Sequence, residues 1–236
     1  MVYEMGGRLL HLTSRRWVEK GKANAFAVFY QQRAGTLIAG EPISGKLWSF
    51  HPHPLPTQVL EHTLPGISLT NGIVWHVHDR SKFYCIDAMN NVIVSVGYDA
   101  VERKVTGIIA IIFQLDPWYL TDGHLLYPGH AMLGRMTIDT KGRLYVPLNG
   151  GSHILQINPN TRIIVPRPIY IPAVKVKGCA FGGIDMNVLY VSTQAFGPNE
   201  EAPAGDQSGK IFAVSNLGKG VKGHEAWPFV MPSLYK

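Results

Sequence analysis

The sequence predicts an all-β protein of the β-propeller type, on three observations. Short strand-like runs alternate with Gly, Pro, Asn and Asp turns from about Thr36 onward. No stretch sustains a period of 3.6, which excludes long amphipathic helices. A unit of two strands also recurs along the chain: a polar turn, a Leu- or Phe-Tyr-like strand, a second turn, and a strand of alternating character.

The first unit runs through Arg33-Ala34-Gly35-Thr36-Leu37-Ile38-Ala39 and then Gly45-Lys46-Leu47-Trp48-Ser49-Phe50. The second is Lys82-Phe83-Tyr84-Cys85-Ile86-Asp87 followed by Asn91-Val92-Ile93-Val94-Ser95-Val96. The third pairs Lys141-Gly142-Arg143-Leu144-Tyr145-Val146 with Ser152-His153-Ile154-Leu155-Gln156-Ile157, and the fourth pairs Val188-Leu189-Tyr190-Val191-Ser192 with Ser208 to Val214. Taking Leu37, Phe83, Leu144 and Leu189 as equivalent, the units recur at roughly 45 to 60 residues, near the period of a four-stranded propeller blade. The long middle interval is assigned to an insertion over Ile108 to Ala131. Because a propeller loses its exposed strand edges only when its ring closes, about four recognisable blades predict a small ring or one incomplete at the amino end. Met1 to Ala34 shows weak alternation and no blade pattern.

Composition narrows the functional classes. At 236 residues, 46% hydrophobic and 16% charged, the chain can bury a sizeable core as one domain spanning 1–236. The formal charge of +6 gathers at the amino end, where Arg8, Arg15, Arg16, Lys20 and Lys22 precede no basic-aromatic module, so no nucleic-acid partner is expected. Cys85 and Cys179 lie in apolar strand-like runs and read as reduced core thiols of a cytoplasmic protein. Apolar runs such as Gly107 to Phe113 fall far short of the ~20 residues that span a bilayer, so no membrane partner is expected.

Few motifs carry chemistry on their own. Asn71-Gly72 enters the apolar strand Ile73-Val74-Trp75 and, taken alone, reads as a tight turn or bulge. The pairs His51 with His53 and His76 with His78 have strand spacing that puts two imidazoles on one side, but no third ligand is placed, so hydrogen-bonded or solvated imidazoles are expected. Gly150-Gly151 and Gly182-Gly183 are followed by no helix and cradle no phosphate. Neither cysteine sits beside a basic cluster, and there is no Gly-x-Ser-x-Gly elbow.

A set of longer stretches is more specific by order and spacing: Thr70-Asn71-Gly72 with Trp75, Phe83-Tyr84 with Ile86-Asp87, Tyr98-Asp99, and Met136-Thr137-Ile138-Asp139. These continue through Leu144-Tyr145-Val146, Asn149-Gly150-Gly151, Ala180-Phe181-Gly182-Gly183, Gly209-Lys210-Ile211-Phe212 and Gly220-Val221-Lys222-Gly223. On them, residues 24–236 resemble the regucalcin family, also described as senescence marker protein, gluconolactonase and luciferin-regenerating enzyme, while 1–23 match poorly. The resemblance implies a six-bladed β-propeller, a divalent metal (calcium or zinc) at the channel mouth, and hydrolysis of sugar lactones. It makes Asn71 a metal ligand.

The departures from the family pattern are as informative. The first-strand glutamate has no counterpart; Gly40-Glu41-Pro42 matches its surroundings by letters only, and Glu41 reads most simply as a solvated loop carboxylate, with a substrate-binding place by the pocket as the alternative. Of the substrate-holding stretch only Asn24 survives, with Ala25, Ala27 and Val28 in place of arginine, asparagine and aspartate. The family aspartate that is both ligand and proton acceptor falls on Gly134, and a second register instead offers Asp122 in Thr121-Asp122-Gly123. The resemblance therefore implies a propeller related to metal-dependent lactone hydrolases, with metal binding weak or absent and catalysis impaired. The alternative is a non-catalytic propeller that binds a small sugar-like ligand or a protein, or self-associates through open blade edges. A short amino end also fits a truncated form of an active relative.

Overall fold

The computed structural model describes the strands up to His51 and then residues 58–115, 131–166 and 168–225, with side chains for Ile38, for 46–49 and from Leu60 onward within those segments. Every regular element there is a strand, in five antiparallel sheets. The first joins β1 (Glu4–Met5), β2 (Arg8–His11) and β3 (Arg16–Glu19), a meander where the sequence shows no blade pattern. The second is the four-stranded meander β4 (Ala27–Gln31), β5 (Thr36–Gly40), β6 (Lys46–His51) and β7 (Gln58–Thr63). The third repeats it with β8 (Thr70–Trp75), β9 (Lys82–Asp87), β10 (Val92–Asp99) and β11 (Lys104–Gln114).

In the fourth sheet the first strand is broken into β12 (Met132–Leu133) and β13 (Thr137–Ile138), both paired with β14 (Leu144–Asn149). Next comes β15 (His153–Asn158), flanked by the short β16 (Ile163–Ile164) and β17 (Ile169–Tyr170). The last sheet is β18 (Val176–Gly182), β19 (Val188–Thr193) and β20 (Ile211–Val214). First strands of successive sheets touch one another, β4 against β8, β8 against β13 and β13 against β18. That convergence on a common centre is the propeller arrangement.

Alternate residues of one strand supply two different cores. Ile73 and Trp75 of β8, with Phe83 and Cys85 of β9, pack toward Ile38 and Leu47 of the preceding sheet. Val74, Tyr84 and Ile86, one residue out of step, pack toward Leu133, Met136, Leu144 and Leu155 of the following sheet. Tyr145, between Leu144 and Val146, faces onward again, joining Ile154, Val176, Leu189 and Val191. A sheet covered on both faces needs apolar residues at every position, which is why these strands read as continuous apolar runs. At roughly 1.5–3 kcal/mol for each large apolar side chain buried, this inter-sheet packing is the main source of stability.

The region expected as an insertion is in part regular structure. Residues Ile108 to Gln114 belong to β11, which pairs with β10 along its whole length through three register shifts. The period of 2 is hidden there because Ile108, Ile109 and Ile111 are exposed while Ile112 and Phe113 are buried. Residues 116–130 lie outside the described part.

Two fully buried carboxylates fasten the turns between strands. Asp87 accepts the backbone N–H groups of Ser68 (2.9 Å), Leu69 (3.2 Å) and Met89 (3.2 Å) and the side-chain amide of Asn90 (2.8 Å). Asp139 accepts the N–H groups of Lys141 and Arg143, both at 2.9 Å, and binds the Arg143 guanidinium through Nε and Nη2, both at 2.7 Å. Its position after β13 bends the chain back into β14, and the Tyr145 hydroxyl donates to the same carboxylate at 3.4 Å. Removing this carboxylate leaves two backbone donors and a half-buried guanidinium unpaired. Asp139→Ala is expected to lower the unfolding free energy by about 3 kcal/mol, read as a shift of the urea midpoint with an unchanged slope.

Acid stability follows from buried imidazoles. The His62 Nδ1 accepts the Val105 N–H at 3.4 Å, so Nε2 carries the proton and donates to Ser49 Oγ at 2.6 Å. Burial holds the His62 pKa below its ordinary value, and burial lowers His153 likewise. A histidine depressed in the folded state keeps its full contribution above the unfolded pKa of about 6.5 and loses it as pH falls through the folded value. Unfolding free energy should therefore decline below about pH 6.5, and His62→Asn should flatten that decline in urea titrations run at successive pH values.

Candidate functional site

The first strands of three successive sheets meet around Arg135. Asn71 and Gly72 sit inside β8 at a register shift between Thr70 and Ile73, so the Asn-Gly pair forms a bulge, one of the two forms expected from the sequence. Gly72 has φ 114°, and a Cβ there would stand 3.2 Å from the Arg135 Cα and the Met136 nitrogen. On the other side of Arg135, a Cβ on Gly178 would stand 3.4 Å from the Arg135 Cβ. The backbones of Arg135 and β18 are bonded directly: the Arg135 N–H donates to the Lys177 carbonyl at 2.8 Å and the Cys179 N–H to the Arg135 carbonyl at 3.2 Å. This parallel bridge between Arg135 and Gly178 joins strands of different sheets.

Asn71 has a structural task. Its Nδ2 donates to the Leu133 carbonyl at 3.1 Å, while the Leu133 N–H is taken at 3.0 Å by Asn91 Oδ1. Asn91, with φ 51°, also donates from Nδ2 to the Ala131 carbonyl at 3.0 Å. Two asparagines of the third sheet thus hold both backbone groups of one buried residue in the fourth. Asn91 was not singled out by sequence reasoning. Its only signal is the Asn90-Asn91 turn, whose left-handed backbone favours asparagine.

Gly134 is where the resemblance expects a carboxylate, and the backbone leaves no room for one. A Cβ at Gly134 would stand 2.6 Å from the Lys177 carbonyl oxygen and 3.1 Å from the Pro147 Cβ. The Gly134 N–H meanwhile donates to the Pro147 carbonyl at 2.8 Å, holding the strand in place. The next residue is the exposed Arg135, and Lys177 is exposed beside it. The sequence placed no weight on these two cations, because nothing local shows that residues so far apart adjoin.

The other candidates separate. Asn24, Glu41, Asp122, Ala25 and His53 lie outside the described residues, and Ala27, Val28 and His51 are described only as strand backbone. His76 and His78 follow the end of β8; the His76 Nδ1 accepts the backbone N–H groups of His78 (3.2 Å) and Asp79 (2.9 Å), a hydrogen-bonded role for the His76 imidazole. Burial foremost, with the charge of Lys82 next, holds the His76 pKa below its ordinary value. Both thiols are free, Cys85 buried and Cys179 half-buried. Burial pushes the Cys85 thiol up to about 12, so it is protonated at neutral pH and not nucleophilic.

The donors described around Asn71 do not suit a divalent cation. Calcium takes 6–8 oxygen ligands and zinc about four N, S or O ligands. Asn71 offers one neutral amide oxygen, Gly134 offers no side chain, and Arg135 and Lys177 add positive charge. Among the described residues no three His, Cys, Asp or Glu side chains gather in a metal-binding group. Asp87 and Asp139, the fully buried carboxylates, are occupied by the backbone and side-chain donors described above.

Residues 31–195 match the model of the SMP-30/Gluconolactonase/LRE-like region. The chain is 27% identical to regucalcin of Gallus gallus over 165 residues, covering 69% of this chain and 50% of the relative. It is 29% identical to regucalcin of Danio rerio over 204 residues, covering 86% and 62%. The chain thus spans about half to three fifths of the length of these curated relatives. A solved calcium-binding regucalcin of Agrobacterium tumefaciens superposes with a TM-score of 0.66 at 18% identity, covering 93% of this chain and 71% of that one.

Gly134 provides a direct test of the packing. Restoring a carboxylate with Gly134→Asp should cost stability, about 2 kcal/mol or more, because a side chain there meets the Lys177 carbonyl. Calorimetric titration with calcium should show no gain in affinity over the parent protein.

Proposed function

Since the chain belongs to the SMP-30/gluconolactonase/LRE-like family, we propose that it is a propeller of the lactone-hydrolase type in which metal-dependent hydrolysis is impaired and the channel end around Asn71 keeps a ligand-binding role. The observation that carries this reading is Gly134, whose backbone lies too close to the Lys177 carbonyl for any side chain. Lactone hydrolysis by this route needs a cation to polarise the ester carbonyl and a carboxylate to take a proton from the attacking water. At Gly134 the second is missing, and the adjoining Arg135 and Lys177 oppose the first by charge.

Asn71 supports the same reading. Its amide is committed through Nδ2 to the Leu133 carbonyl, so its contribution to the channel is first that of a clamp between two sheets. The free thiols of Cys85 and Cys179 suit a reducing compartment, and a cytoplasmic setting is part of the proposal.

The test is a titration with calcium, zinc and manganese in the presence of gluconolactone. No metal-dependent increase over spontaneous hydrolysis is expected. Strong metal-dependent turnover that disappears in Asn71→Ala would overturn the proposal.

A further inference from the structure

The last sheet has one covered face and one open face. Phe181, Leu189, Val191 and Phe212 turn toward the fourth sheet and join its core. Their neighbours, one residue out of step, lie on the other side. The register sets Ala180, Tyr190 and Ala213 in one row across β18, β19 and β20, and Gly178, Ser192 and Ile211 in the next. Tyr190 is 43% exposed and Ile211 75%, and Ala180, Ser192 and Ala213 are exposed with them. None of these residues belongs to a core cluster among the described residues.

On the two preceding sheets the corresponding face is covered by another sheet. Val74, Tyr84 and Ile86 of the third meet the fourth, and Tyr145 and Ile154 of the fourth meet the last. A tyrosine and an isoleucine among alanines therefore suit a second sheet better than water. The face also carries charge at its two ends. Arg135 bridges Gly178 in parallel, and a Cβ on Gly178 would stand 3.4 Å from the Arg135 Cβ, which puts the arginine stem on the open side. The turn from β18 to β19, at the opposite end, holds Asp185. Both are exposed, and neither has an ion pair among the described residues.

We propose that a second copy of this chain docks on the open face, sheet against sheet, about a two-fold axis that crosses the strands at the Tyr190 row. Such an axis reverses the strand direction between the copies, so the Arg135 end of each lies over the Asp185 end of the other and the charge contact is made twice. Strands running the same way would set like charge on like, which is why this axis is the one favoured. At the middle, Tyr190 of one copy packs on Tyr190 of the other. Its ring lies along Gly182, where a Cβ would stand 3.0 Å from Tyr190 Cε2, and Ala180 and Ala213 leave low ground beside it. Three strands ~4.8 Å apart give a patch smaller than the ~800 Å² per partner of a standard interface. The dimer is therefore reversible.

Sedimentation equilibrium on the full chain tests this. The mass should rise from one chain toward two, and no further, as concentration climbs through about 10 µM to about 1 mM. Ile211→Asp and Tyr190→Asp, both at exposed positions, should weaken association about tenfold or more. Ile109→Asp, on the exposed part of β11, should leave it unchanged. Arg135→Asp and Asp185→Arg should each weaken it about fivefold, and the two together should recover most of the loss. A mass of one chain at every concentration, growth beyond two chains, an equal loss in Ile109→Asp, or no recovery in the double reversal would overturn the proposal. Metal-dependent gluconolactone turnover bears on the impaired-catalysis reading alone, since the open face and its dimer do not depend on it.

Discussion

The structure depends on how closely the first strands of neighbouring sheets approach one another. At Arg135 the chain is wedged between β8 and β18, with glycine on each side. Backbone hydrogen bonds here cross between blades, from Arg135 to Lys177 and from Cys179 back to Arg135. Buried backbone groups must be paired, and Asn71 and Asn91 complete the pairing by holding the carbonyl and N–H of Leu133. The three inter-sheet cores can then stack outward from a centre that is already fastened.

The same closeness determines the chemistry at the channel. Where backbones touch, a side chain directed into the contact cannot be accommodated, so the position of an expected carboxylate is occupied by the Lys177 carbonyl instead. Side chains that leave the contact are free to carry charge, and here they carry positive charge. Among the described residues the fully buried carboxylates, Asp87 and Asp139, hold turns together. Their place in the family-like stretches Ile86-Asp87 and Ile138-Asp139 therefore reflects architecture, not catalysis.

Much of the blade pattern was legible because strand formation is local. The runs around Leu37, Phe83, Leu144 and Leu189 became β5, β9, β14 and β19, with ends that differ by up to three residues. β11 was misread as an insertion because a strand with exposed isoleucines and three register shifts loses its alternation. The bulge at Asn71-Gly72 was one of two readings open to that dipeptide, and the neighbouring backbone decided it: φ is 114° and the Arg135 Cα and Met136 nitrogen would stand 3.2 Å from a Cβ, so residue 72 favours glycine.

By itself the sequence determined the all-β class, the repeating blade, the family, and the asparagine at the head of β8. The class and the blade follow from residue type and spacing within a few dozen positions, whereas the family rests on a resemblance carried by stretches from Thr70 to Gly223. Only the tertiary structure decided what that asparagine touches, that Gly134 has no space for a carboxylate, and that Arg135 stands beside Lys177. These are contacts between strands of different sheets, set by the packing of one sheet on another, and no local periodicity encodes them.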